Sequence, residues 1–138
     1  MKLIETYRHE GKGYNPFLIK EGWQVAQLNY TPEQDPLAID KMDRHLLTDE
    51  VFVLLQGTAV LIGAQLSDGQ FQFDCVRMKA GVTYNIPTGM WHNIAMNPGS
   101  EVILFERDGT HLGDFEFSPL SEDQIQDLQN LVSSVNQQ

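Results

Sequence analysis

Two stretches decide the reading of this chain: Asp43-Arg44-His45-Leu46-Leu47-Thr48-Asp49-Glu50, with Gly57 six residues further on, and Gly81 through Pro87-Thr88-Gly89-Met90-Trp91-His92. Residues 43 and 45 are two apart, so on a strand they point to one face. Glu50 opens the next apolar run, and His92 follows a Pro-Gly turn that fixes the direction of the chain. Two imidazoles and one carboxylate are the ligand set that holds Fe(II) while leaving positions open, and the same mix suits Mn, Ni or Zn. His45, Glu50 and His92 are therefore candidate ligands for a divalent transition metal.

Outward from these stretches the chain reads as short strands punctuated by turns. Val51 to Gln56 is apolar on both faces, as expected of a strand covered on both sides. Gly57 breaks it, and Thr58 to Ile62 continues beside it. Ser67-Asp68-Gly69 is a hairpin-type turn leading into the alternating stretch Phe71 to Met78. Lys79-Ala80-Gly81 turns again before Val82 to Ile86, and Trp91 to Met96 and Glu101 to Arg107 form one more strand pair around Asn97-Pro98-Gly99. Upstream, Trp23 to Tyr30 reads as a strand, followed by a loop carrying Thr31-Pro32 and Asp35-Pro36. Strands at this spacing predict an all-β sandwich or barrel. The tail differs. Ser121 with Gln124 fits a capping box, Leu120 with Ile125 a hydrophobic staple, and Ile125, Leu128, Leu131 and Val135 lie along one helical face. One amphipathic α-helix is expected from about 121 to 134, packed on the barrel or serving a dimer contact.

The spacing of the two stretches resembles that of the cupin superfamily. Its first motif has the form HxH, three or four residues, E, six residues, G; the second His falls on His45, the Glu on Glu50 and the Gly on Gly57. Its second motif, G-x5-P-x-G-x2-H-x3-N, matches Gly81, Pro87, Gly89 and His92, with Met96 in place of the final Asn and Asn97 following. The resemblance implies a cupin-type double-stranded β-helix, a jelly-roll barrel, with the two motifs facing each other across its interior. The expected domain is single, 1–138, with a barrel core from about 23 to 117.

The chain departs from the family where the first histidine ligand would stand, because Asp43 occupies that place. If Asp43 ligates, two carboxylates neutralise a divalent ion, which becomes a weaker Lewis acid with more affinity for harder ions such as Mn²⁺. Alternatively Asp43 reaches the ion through water, orients His45, or belongs to a vestigial site in a barrel that binds ligand without metal. Thr48, Tyr84, Asn85 and Asn93 are nearby candidates for supporting roles.

Other residues have weaker claims. His111, in a loop after a strand, is either a proton shuttle at the barrel mouth or a loop residue. Tyr84 shares the alternation phase of Ile86 and offers either an inward hydroxyl for proton transfer or core packing. Trp91 and Phe52 are core residues or walls of a substrate pocket. Arg44 alternates with Asp43 and His45 and should point away from them. Nothing fixes the direction of Glu101 or Glu106, and Cys75 reads as a small buried hydrophobe in a strand.

Composition narrows the partners. A net charge of −10 with no basic cluster repels a polyphosphate backbone and an anionic membrane. No apolar run approaches the roughly 20 residues that span a bilayer. A polar start and a lone cysteine lead to the expectation of a cytoplasmic protein. Cupins include dioxygenases, isomerases, epimerases and decarboxylases, so the resemblance selects no reaction. A metal-dependent enzyme acting on a small polar metabolite (oxygenase, isomerase or lyase type) is the leading expectation. The alternative is a non-catalytic cupin that binds a sugar or small metabolite. A homodimer is expected by analogy, with Trp23 to Tyr30 as its candidate contact.

Overall fold

A computed structural model describes residues 1–138. Its elements run in chain order β1 (Gly13–Lys20), β2 (Trp23–Asn29), a 3-10 turn (Pro32–Gln34), β3 (Lys41–Arg44), β4 (Glu50–Gln56), β5 (Ala59–Ser67), β6 (Gln70–Arg77), β7 (Thr83–Ile86), β8 (Trp91–Met96), β9 (Glu101–Glu106), α1 (Thr110–Gly113), β10 (Glu116–Pro119) and α2 (Glu122–Asn136). Two five-stranded antiparallel sheets result, ordered β1-β2-β9-β4-β7 and β10-β3-β8-β5-β6. This is a jelly-roll barrel with one C-terminal helix.

Period-two alternation divides each strand between the space enclosed by the sheets and the outside. Ala26, Leu28, Phe52, Leu54, Ile94, Met96, Val102 and Leu104 fill the space between the sheets. The same inward phase carries polar residues at the other end of these strands: Gln24, Glu50, His92 and Glu106, each at most 7% exposed. The barrel is thus apolar at one end and polar at the other.

A second core lies outside the β10-β3-β8-β5-β6 sheet, where Met42, Val60, Ile62, Phe71 and Ala95 meet Leu120, Leu128 and Val132. Ser121 caps α2 by accepting from the Gln124 amide at 3.2 Å. The expected capping box is only half made, because the Gln124 side chain donates to the Phe71 carbonyl instead. The buried stripe is Gln124, Leu128 and Val132, and Leu131 is 41% exposed. The helix docks on β6, so the buried face is turned by one residue from the expected one.

Strand β1 precedes the expected barrel core and lies at a sheet edge, with an irregularity between Asn15 and Leu18 that accommodates Pro16. Gly57 has φ +89°, and a Cβ there would come 2.6 Å from the Ser100 Cα. The β4–β5 turn and the buried Ser100 therefore require glycine at this position.

Candidate metal centre

Both motifs deliver their side chains to the polar end of the barrel. His45 follows β3, and its carbonyl accepts from the Gly89 amide at 2.7 Å, which ties the first motif directly to the Pro-Gly turn of the second. Asp49 strengthens this tie by accepting from the Thr88 amide (2.8 Å), the Thr88 hydroxyl (2.8 Å) and Asn85 Nδ2 (3.1 Å). Asp43 and His92 are direct partners across the β3–β8 pair. Glu50 begins β4 in the opposite sheet, so candidate ligands from both sheets meet.

The donor atoms are close. His92 Nε2 lies 3.1 Å from Glu50 Oε1 and 3.4 Å from Asp43 Oδ1, and His45 Nε2 lies 3.2 Å from Glu50 Oε2. Two donors each about 2.1 Å from one ion stand roughly 3.0 Å apart at right angles and about 3.4 Å apart in a tetrahedron. The observed spacings match that range.

The far side of each ring is already committed. His45 Nδ1 stands 2.7 Å from the Asp114 carbonyl, and His92 Nδ1 stands 3.0 Å from the Met90 carbonyl. A carbonyl only accepts, so both Nδ1 atoms donate. In a neutral ring each Nε2 then presents a lone pair to a carboxylate oxygen. Acceptor facing acceptor requires a cation between them, either a proton on each ring or a metal ion, and this donor set fits a divalent ion.

Electrostatics follow the same logic. Burial disfavours the His45 imidazolium, but the hydrogen bond to Glu50 and the charges of Glu50 and Asp43, with the Asp114 carbonyl, raise it to about 9. His92 is also raised, the carboxylates of Glu50 and Asp43 outweighing burial. Burial pushes the Glu50 carboxyl up, yet its hydrogen bonds from both histidines hold it well below the usual carboxylate range. Asp43 is raised by burial, only partly offset by His92. Asp43 is also the entrance side, since its side chain is 29% exposed against 4% for His92 and 7% for Glu50.

Asp43 contacts His92 and does not orient His45, whose outer nitrogen is held by Asp114. Asp114, unsignalled in the sequence, also accepts from the Leu46 and Leu47 amides at 2.8 and 3.0 Å. It fixes the loop that carries His45. Glu106, whose direction was open, points inward: one of its oxygens lies within 4.8 Å of donor atoms of both His45 and Glu50. Tyr14 donates to Glu106 Oε1 at 2.5 Å and Gln24 Nε2 donates to it at 3.0 Å. Burial and neighbouring Glu50 push the Glu106 carboxyl up to about 8.

The remaining candidates scatter. His111, in α1, places Nδ1 3.1 Å from Gln24 Nε2 and so joins the outer end of this polar chain. Phe52 is buried with its ring centroid 6.1 Å from that of His92. Tyr84 packs against the inner core, and its hydroxyl accepts from the Lys79 amide at 2.9 Å, away from the ligand set. Trp91 lies on the opposite face of β8 from His92. Arg44 stacks over its ring at 4.5 Å and pairs with Glu116 at 2.7 Å. Together Arg44 and Trp91 line an outer groove of about 720 Å³ with Phe73 and Asp74. Asn93 donates to the Lys41 carbonyl and Thr48 accepts from the Arg107 amide, both of them backbone ties.

No protein-family model and no curated protein matches the chain. Among solved structures, Pac13 of Streptomyces, described as a nucleoside dehydratase, aligns with a TM-score of 0.56 at 12% identity, covering 90% of this chain and 98% of that one. A cupin-2 domain protein from Shewanella frigidimarina aligns at 18% identity and TM-score 0.49, covering 74% and 84%. Oxalate decarboxylase of Bacillus subtilis, described as having Mn(II) centres, aligns at 19% identity and TM-score 0.48 over 70% of this chain, which spans only 24% of that one. At these identities the likeness is one of fold, and the one of these matches above a TM-score of 0.5 is described as a β-barrel.

Proposed function

We propose that this cupin barrel is a metal-dependent enzyme acting on a small polar metabolite, with His45, Glu50, His92 and Asp43 holding one divalent transition metal. The observation that supports this most is the confrontation of Nε2 lone pairs with buried carboxylate oxygens, with no lysine or arginine among them to balance the charge. A bound ion would polarise a carbonyl or hydroxyl of the substrate, or activate a water. The protein's own residues orient the rings through Asp114 and Met90, exclude water on the Glu50 side, and leave the approach beside Asp43. Oxygenase, isomerase and lyase chemistries all begin from such a site.

Elemental analysis of protein purified without a His-tag tests the metal. Near-stoichiometric Fe, Mn, Ni or Zn is the expected result, and a clean absence with none taken up on dialysis refutes it. His92→Ala then separates enzyme from binder, since an enzyme loses turnover with its fold intact. A metal-independent binding protein holds its ligand nearly as before.

The uncovered outer face of the β1-β2-β9-β4-β7 sheet supports the proposed homodimer. Phe105 lies between Val25 and Val51 there, 41% exposed, and Trp23 is 48% exposed. Sedimentation as a monomer at micromolar concentration removes that part of the proposal.

A further inference from the structure

Glu106 is the least explained group in the barrel. The β4–β9 register, with Val51 opposite Phe105, continues to place Glu50 opposite Glu106, and both are inward and buried. Two buried carboxyls directly opposite cannot both carry charge unless a cation lies between them, either a proton, which raises Glu106 to about 8, or a metal ion. The two donors that reach Glu106, the Tyr14 hydroxyl and Gln24 Nε2, both go to Oε1. Gln24 is itself fixed, since its Oε1 accepts from the Gly109 amide at 3.0 Å. Oε2 is buried without any partner, on a residue only 7% exposed. A carboxyl held through one oxygen, with the other bare, on a side chain that reaches donor atoms of His45 and Glu50, is a ligand arm waiting for a cation.

We infer that Glu106 is a further ligand of the metal beside His45 and Glu50, whose donor atoms it reaches, and so adds a third carboxylate to the proposed set. Tyr14 and Gln24 position the arm. Three carboxylates favour a hard, oxygen-preferring ion, so the site selects Mn²⁺ or Fe²⁺ over softer competitors. This inference rests on the metal reading above.

The test is Mn(II) titration of metal-stripped wild-type protein and of Glu106→Gln, which keeps the shape and the acceptor for Tyr14 and Gln24. Glu101→Gln, a change on the outer face of the same strand, is the control. The expected result is at least a tenfold loss of Mn(II) affinity in Glu106→Gln, with Glu101→Gln unchanged. Equal or tighter Mn(II) binding by a folded Glu106→Gln overturns the inference and leaves the metal reading standing. No Mn(II) binding by wild-type protein overturns both. Should Glu106→Gln fail to fold, a Mn(II)-soaked wild-type crystal decides. A Glu106 carboxyl oxygen at about 2.0–2.2 Å from Mn supports ligation, and none within about 3 Å refutes it.

Discussion

Metal binding to this site must expel protons, and the number follows from the geometry. In the metal-free protein both Nδ1 atoms are committed to carbonyls, so the proton that raises His45 to about 9 sits on Nε2. At pH 7 a group with that pKa is about 99% protonated. His92 is raised by the same carboxylates, and Glu50 is held ionised and contributes none. An ion on both Nε2 atoms therefore displaces about one proton from His45, with a further contribution from His92 and, where Glu106 ligates, from its carboxyl, raised to about 8. Apparent affinity then rises at least about tenfold per pH unit below the His45 value, equivalent to ~1.4 kcal/mol, and the His45 contribution levels off above about pH 9. Calorimetry of Mn(II) binding to metal-stripped protein at pH 6.5 and 7.5, each in two buffers of different ionisation enthalpy, measures the release directly. Affinity that does not change over this interval, or release of well under one proton, refutes the assignment of the imidazoles as ligands.

The same shifts set the stability of the metal-free protein. His45 has a folded value of about 9 against 6.5 for a free imidazole, so its contribution is complete below about pH 6.5 and lost as pH rises through 9. Melting scans should show Tm falling across that window, with saturating metal removing the fall. Gly57→Ala adds a left-handed strain of about 1–2 kcal/mol to a clash with Ser100 of similar size. Its Tm should drop by roughly 10 °C, and a drop of less than about 3 °C contradicts the packing described. Asp114→Ala frees the Leu46 and Leu47 amides and loosens the His45 loop. Metal affinity should fall about tenfold while the far-ultraviolet spectrum stays unchanged. Leu128→Ala empties the centre of the α2 contact and should cost about 2–5 kcal/mol in denaturant unfolding with the metal stoichiometry preserved.

That the candidate ligands face inward was legible because their spacing is rigid. Asp43 and His45 share a phase, and Pro87 and Gly89 fix where His92 begins its strand. An all-β sandwich or barrel was legible from turn residues at regular intervals, and the jelly roll only through the resemblance of the two motifs. Glu106 was not, because β9 is apolar on both phases (Val102 and Leu104 against Ile103 and Phe105), so alternation could not choose which side Glu106 took. Only its pairing with β2 and β4, which bury Gln24 and Glu50, settles the matter. Strand β1 was hidden by Pro16, and β3 and β10 are four residues each, too short for periodicity to register. Trp91 was drawn toward the site by its neighbour His92, yet adjacent residues on a strand face opposite ways.

The proposed ligands divide between the sheets: Glu50 and Glu106 belong to one, and Asp43, His45 and His92 to the other side of the barrel. A captured ion would act as a rivet through both walls at one rim, while the opposite rim is closed by side-chain packing alone. Loading and stripping the ion should therefore change amide exchange steeply where β3, β4, β8 and β9 reach the riveted rim. At the greasy rim, around Leu54, Met96 and Val102, the breathing of the barrel should hardly notice.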